Sequence, residues 1–119
     1  MGTIKRLFFS TLEFDKQWKR MGLNDDDQRE LENEIINNPK TGAVVRGTGG
    51  LRKMRYALKG RGKSGGVRVL YVDYVIFERS YLIYAYTKGV KDDITDSERE
   101  QFRKLIEQTR NALGGDRYE

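Results

Sequence analysis

Apolar residues recur along this chain with two different periods. Phe14, Trp18 and Met21, and then Leu31, Ile35 and Ile36, lie at helical spacing, each set forming one stripe of an amphipathic helix. Ser10 followed by Glu13 has capping-box spacing and Gly22 supplies a stop, so the pattern predicts a first helix that begins at Ser10 and ends before Gly22. Asn24 then caps a second helix whose first turn holds Asp25, Asp26 and Asp27, charges that suit the positive end of the helix dipole. Asn38-Pro39 closes it. The two helices read as a hairpin with a tight connection, preceded by a short strand over Ile4 to Phe9.

Beyond Pro39 the pattern becomes that of strands. Ala43 to Arg46, Leu51 to Leu58 and a long run from Val67 to Phe77 are rich in Val, Ile, Tyr and Phe. Apolar residues on both faces of the long run suit a central strand. Glu78-Arg79-Ser80 reads as a turn into Tyr81 to Tyr86, completing an antiparallel meander. Thr95 and Glu98 repeat the capping-box spacing ahead of Phe102, Leu105, Ile106, Thr109 and Leu113, a C-terminal amphipathic helix. The class is α+β, and 119 residues make one domain spanning 1–119. Gly114 to Glu119 read as a frayed end.

Composition narrows the chemistry. The chain has no cysteine and no histidine, so disulfides, zinc sites, Cys or Ser–His nucleophiles and imidazole acid–base pairs are excluded. Any reaction must use Lys, Arg, Tyr, Ser, Thr or carboxylates. A run of about 18 apolar residues is missing, as is a charged-then-apolar leader with a small-residue cleavage site. A cytoplasmic protein without a membrane partner is expected.

The net charge of +5 conceals a stronger asymmetry. From Ile35 to Val72 there are nine cations (Lys40, Arg46, Arg52, Lys53, Arg55, Lys59, Arg61, Lys63 and Arg68) and no carboxylate, which leaves 14 basic against 18 acidic residues elsewhere, a balance of −4. Such a segment suits a polyanion, the bland alternative being a solvated basic face.

Within it lies GRGKSGG, Gly60 to Gly66, containing the Gly-Lys-Ser triplet of a phosphate loop. A nucleotide-binding loop needs a first glycine where this chain has Ala57, and a helix leading out where this chain has the strand pattern Val67 to Val72. Nucleotide binding is therefore rejected, and the stretch reads as a basic β-hairpin tip able to approach a nucleic-acid backbone, or as a solubilising loop. In the strand before it, period-two alternation puts Lys53, Arg55 and Lys59 on one face and Arg52, Met54, Tyr56 and Leu58 on the other. Arg68 joins the first group if the hairpin register permits. Cations converging on a sheet repel one another, and a bound phosphate relieves that repulsion.

GTGGLRKMR (Gly47 to Arg55), GKSGGVRVLY (Gly62 to Tyr71), and the strand ending Tyr84-Ala85-Tyr86-Thr87-Lys88 followed by DDIT (Asp92 to Thr95) and an acidic helix start resemble the HigB-type branch of the RelE/ParE toxin superfamily. The resemblance covers nearly the whole chain. It implies a RelE-like fold and a bacterial or plasmid type II toxin, usually an endoribonuclease that enters the 30S A site of the ribosome and cuts the mRNA being translated, with no cofactor and no metal. It also implies a cognate antitoxin, often a helix-turn-helix protein of HigA type, through which alone the toxin meets operator DNA. By the resemblance Arg68 matches the arginine that follows the loop and contacts the scissile phosphate, Lys53 and Arg55 match the basic strand before the loop, and Lys88 matches a basic residue at the end of the last strand. Arg46, Arg52, Lys59, Arg61, Lys63 and Tyr86 are then candidates for RNA and ribosome binding. Some relatives have a tyrosine or histidine just after the last strand, and Gly89 to Thr95 here has neither, which leaves the acid and the base open.

RNA carries its own nucleophile, the 2′-OH, so an enzyme must align it, take its proton, stabilise the added negative charge and protonate the 5′-oxygen. Lys53, beside Arg52, Arg55 and Arg68, is the candidate base, because surrounding cations destabilise its charged form. Arg68 holds the phosphate through a bidentate contact and Lys88 serves the leaving group. Tyr84 and Tyr86 share a face, where core packing outweighs stacking on a splayed base. Two rival functions remain, a ParE-like toxin that inhibits DNA gyrase without cutting, and a nonenzymatic RNA-binding module. Converging cations favour the nuclease.

Overall fold

The computed structural model describes residues 6–57 and 66–114. The elements run β1 (Leu7–Ser10), α1 (Leu12–Arg20), α2 (Asp25–Asn37), β2 (Ala43–Val44), β3 (Arg52–Tyr56), β4 (Val67–Tyr74), β5 (Arg79–Thr87) and α3 (Asp96–Ala112). The five strands form one sheet in the order β1-β5-β4-β3-β2. Strands β2 to β5 pair antiparallel in sequence order, as the meander requires. β1 adds to the far side of β5 in parallel, with Leu7 opposite Arg79 and Ser10 opposite Leu82. The two helices between β1 and the meander carry the chain back across the sheet, a geometry that a hairpin connection could not supply.

Each sheet face buries a helical layer. On one, Phe14 and Trp18 of α1 and Leu31 and Ile35 of α2 pack against Met54, Val69, Tyr71 and Ala85. On the other, Ile106 of α3 and Ile94 before it pack against Leu70, Val72, Tyr74 and Ile83. Each fully buried Leu or Ile of these layers contributes about 1.5–3 kcal/mol relative to exposure. Two boundaries follow buried polar groups. Asp73 of β4 accepts from Ser80 Oγ at 2.6 Å and pairs with Arg6 at 3.2 Å, an inward carboxylate satisfied on both sides. That pairing draws Arg79 and Ser80 into β5 and moves the turn forward to Val75–Glu78, where Glu78 takes a φ of 52°. The turn expected at Glu78-Arg79-Ser80 is corrected accordingly.

Helix starts obey the same logic. Asn24 and Thr95 form complete capping boxes with Asp27 and Glu98. For α1 the cap is Thr11, not Ser10 with Glu13: Thr11 Oγ1 accepts from the Phe14 N–H at 3.0 Å and donates to the Ile83 carbonyl at 2.6 Å. Ser10 belongs to β1 and its hydroxyl donates to Asp15. One hydroxyl therefore begins α1 and ties it to β5.

Thr11→Ala is expected to lower stability by about 1–2 kcal/mol in urea unfolding, with Ser10→Ala near neutral; the reverse order would place the cap at Ser10. The buried Tyr56 hydroxyl, which donates to the Asp27 carbonyl, is pushed up to about 12 by burial, with Glu30 and Asp27 adding to the shift. Its unfolded counterpart ionises near 10, so its contribution is complete below pH 10 and is lost as pH rises toward 12. Tyr56→Phe is expected to flatten that alkaline fall in a thermal-melt pH series.

Candidate functional site

The register joins three side chains from separate strands. Arg55 of β3 lies opposite Arg68 of β4, and Arg68 lies opposite Tyr86 of β5. Opposite residues of an antiparallel pair face the same side of the sheet, about 4.5–5.5 Å apart. Lys53 shares this face two residues along β3, opposite Leu70, so the row sits on the α3 side. A β-bulge maintains it: pairing steps from Leu70↔Tyr84 to Tyr71↔Leu82, making Ile83 an extra residue. Without it, alternation would put Leu82, Tyr84 and Tyr86 on one face. With it, Leu82 enters the α1–α2 core while Tyr84 and Tyr86 stay beside Arg68.

Like charges placed opposite each other destabilise a sheet, yet Arg55 and Arg68 are held so. Arg68 is half-buried and Arg55 exposed. Gly66, at φ +61°, lets the chain close over Arg55: a Cβ there would sit 2.9 Å from the Tyr56 carbonyl and 3.5 Å from Arg55 Nε. Any other side chain would strain the entry to β4 and push on Arg55.

Asp93, to which the sequence assigned no part, and Tyr86, already a candidate for RNA binding, complete the site. Asp93, in the connection before α3, pairs with Lys53 at 3.3 Å. The backbone N–H of Ile94 and then Lys53 hold its carboxyl below the usual carboxylate range. Lys53 is thus not surrounded by cations alone, which corrects the environment expected for it. The separation of 40 residues hides this pair from any local pattern. Tyr86, only 4% exposed, has a buried hydroxyl with no hydrogen-bond partner among the described residues. Burial raises its pKa, Asp93 adding to the rise and Arg68 opposing it. Core packing is its principal contact, as expected, but its phenol lies within the field of both charged groups.

The remaining candidates divide. Arg52 points to the opposite face, where it donates to the Gly42 carbonyl at 2.6 Å and sits in the field of Tyr71. It is therefore not beside Lys53, and period-two alternation already separated them. Arg46 is exposed, and its carbonyl accepts from Arg99 of α3. Lys88 is exposed in the turn that follows β5, two residues past Tyr86. Lys59, Arg61 and Lys63 lie outside the described residues, as does most of GRGKSGG. The other glycine motif, GTGG, seats the start of β3: buried Thr48 bridges the Val45 carbonyl and the Leu51 N–H, and Arg110 donates to the Gly49 carbonyl at 2.7 Å.

The sheet order and the cationic face define a small α+β protein with a basic row on one sheet face, and comparison narrows the class. Residues 5–114 match the family model described as the RelE toxin of the RelE/RelB toxin–antitoxin system. The chain belongs to the RelE toxin family. Its fold is similar to that of a double arginine mutant of E. coli toxin RelE in the free state, with a TM-score of 0.53 at 15% identity, covering 85% of this chain and 96% of that one. The intact E. coli RelBE toxin–antitoxin complex matches with a TM-score of 0.48 at 17% identity, over 70% and 96% of the two chains. The isolated E. coli RelE toxin matches with 0.48 at 15%, over 85% and 99%.

Removing the Asp93 charge frees Lys53 for phosphate. Asp93→Asn is expected to tighten binding of a single-stranded RNA about fivefold at low salt, a gain of the size of one exposed ion pair. Because the Asp93 pKa is lowered, the wild type keeps the charge through the neutral range, and the two proteins converge only in acid, below the usual carboxylate range. Fluorescence anisotropy at several pH values measures this. Equal affinities at neutral pH would remove Lys53 from the RNA path.

Proposed function

We propose that this chain is a HigB-type toxin that enters the 30S A site and cleaves the mRNA being translated, without a metal or cofactor. The observation that carries the reading is the row of Arg55, Arg68 and Tyr86 across three strands, with Lys53 and Asp93 beside it. Membership of the RelE family supports the toxin role. A partner antitoxin, of helix-turn-helix type on the HigB reading, neutralises the toxin and brings it to operator DNA.

The chemistry follows from these groups. Arg68 binds the scissile phosphate through two oxygens and Arg55 adds charge against the dianionic transition state. The incoming phosphate displaces Asp93 from Lys53, the Lys53 ammonium gives up a proton to solvent beside Arg55 and Arg68, and the neutral amine then takes the 2′-OH proton as the new O–P bond forms. The 5′-oxygen leaves with a proton from Lys88, and the product end is a 2′,3′-cyclic phosphate. Arg46, with Lys59, Arg61 and Lys63 of the loop, contacts flanking phosphates, a role that makes binding fall steeply with salt. Arg52 is assigned to the fold and not to the RNA. The sheet's opposed cations favour this reading over gyrase inhibition, which has no need of them.

Primer extension on mRNA from a reconstituted translation reaction tests it. Cuts at A-site codons are expected with wild-type protein and ribosomes, falling about 10²–10³-fold with a folded Arg68→Ala variant. Full cleavage by that variant would take Arg68 out of the site. Intact mRNA under a protein that still arrests growth would replace nuclease by gyrase inhibition, read in a supercoiling assay.

A further inference from the structure

Beside the cationic row the sheet ends in a cleft of about 400 Å³. β1 covers β5 only from Arg79 to Leu82, and Thr11 occupies the Ile83 carbonyl. Past that point the edge of β5 carries no described strand, and Tyr84, Tyr86 and Thr87 form the cleft floor. Gln17, Arg20 and Met21 of α1 make one wall, and Val90 and Lys91 of the following turn make the other. Val90 is 87% exposed.

We propose that this cleft receives one unpaired base of the RNA strand whose phosphate lies on Arg55 and Arg68, an inference that rests on the RNA reading above. Four features select a base. The floor is aromatic: the Tyr84 and Tyr86 rings lie 6.0 Å apart, and Phe102 of α3 backs Tyr84 at 6.0 Å, so the plane of the half-buried Tyr84 is fixed before a ligand arrives. Aromatic platforms of this kind bind splayed bases with little regard to sequence. The Tyr86 hydroxyl, buried and unpartnered, has a donor to offer a base edge or a ribose oxygen. The rim offers one exposed cation, Arg20, while Lys91 and Glu98 pair at 2.8 Å and offset each other and Glu13 accepts from the Gln17 amide at 2.8 Å. Finally, the cleft is continuous with the phosphate site, because Tyr86 is the residue opposite Arg68. A nucleotide whose phosphate rests on one strand has its base over the next, since neighbouring strands lie about 4.8 Å apart. An acidic peptide would meet Glu13 and Glu98 as well as the cations and would leave the tyrosine floor unused.

The test is photo-cross-linking of the full-length protein to a short single-stranded RNA that carries a thiouridine and a 2′-deoxy backbone at the scissile position, with the attachment site mapped by mass spectrometry. Cross-links are expected on the peptides holding Met21, Tyr84 or Tyr86. They should fall about tenfold in Arg20→Glu, whose site is exposed, and in Val90→Trp, which fills the cleft mouth, while thermal unfolding stays unchanged. Cross-links confined to β3 and β4, or equal yields in both variants, would overturn the proposal, and so would no cross-link at all. Cleavage on ribosomes, read separately, reports the nuclease reading: cleft cross-links from a wild-type protein that never cuts would leave the base site standing and remove the nuclease.

Discussion

The register of β3, β4 and β5 is the constraint on which the cationic face depends. Two arginines and a tyrosine from three strands meet only because Arg55, Arg68 and Tyr86 fall in one cross-strand row. A slip of β4 by one residue would turn each of its side chains to the other face, carrying Arg68 to the side packed by Phe14, Trp18, Leu31 and Ile35 and turning Val69 and Tyr71 away from it. The hydrophobic layers resist that slip: Met54, Val69, Tyr71 and Ala85 must meet α1 and α2, and Leu70 and Val72 must meet α3. The repulsion between Arg55 and Arg68 is thus opposed by apolar burial on both sides of the sheet.

The bulge at Ile83 links this register to the N-terminal helix. The residue that breaks the alternation of β5 also offers its carbonyl to Thr11, the hydroxyl that starts α1. Strand β1 pairs up to Leu82, α1 begins at the next residue after Thr11, and the open edge of β5 begins beyond it. One backbone irregularity therefore fixes where the parallel pairing ends, where α1 lies, and how Tyr84 comes to stand next to Tyr86 on the α3 side. Bulges are frequent next to functional sites for this reason: they re-aim side chains without breaking a sheet.

Much of this was legible in the residues. The stripes Phe14–Trp18 and Leu31–Ile35 and the caps Asn24 and Thr95 predicted the helices because caps and stripes are local. Period-two alternation separated Arg52 from Lys53 and Arg55 in advance, and the hairpin across the basic loop left only the register to be fixed. What the sequence did not carry is long-range. Ser10 and Thr11 are both good caps, and only the Ile83 carbonyl decides between them. The turn at Val75–Glu78 follows from Asp73 meeting Ser80 and Arg6, and no feature of Val75 or Ile76 announces a turn. The parallel placement of β1 and the Lys53–Asp93 pair likewise join residues far apart in the chain.

Asp93 gives that pair a particular energetic meaning. A surface that must attract a polyanion has to remain positive, but cations left together repel and weaken the fold. A carboxylate on the segment before α3 lowers that repulsion, and because its ion pair with Lys53 is well exposed, with 36% and 57% of the two side chains accessible, breaking it costs little, within the range of about 0–1 kcal/mol for exposed pairs. On the proposed RNA reading, a phosphate offers two or more oxygens to the same lysine together with Arg55 and Arg68, and so competes with a carboxylate that reaches the lysine through one contact. The free protein is thereby spared part of the repulsion among Lys53, Arg55 and Arg68.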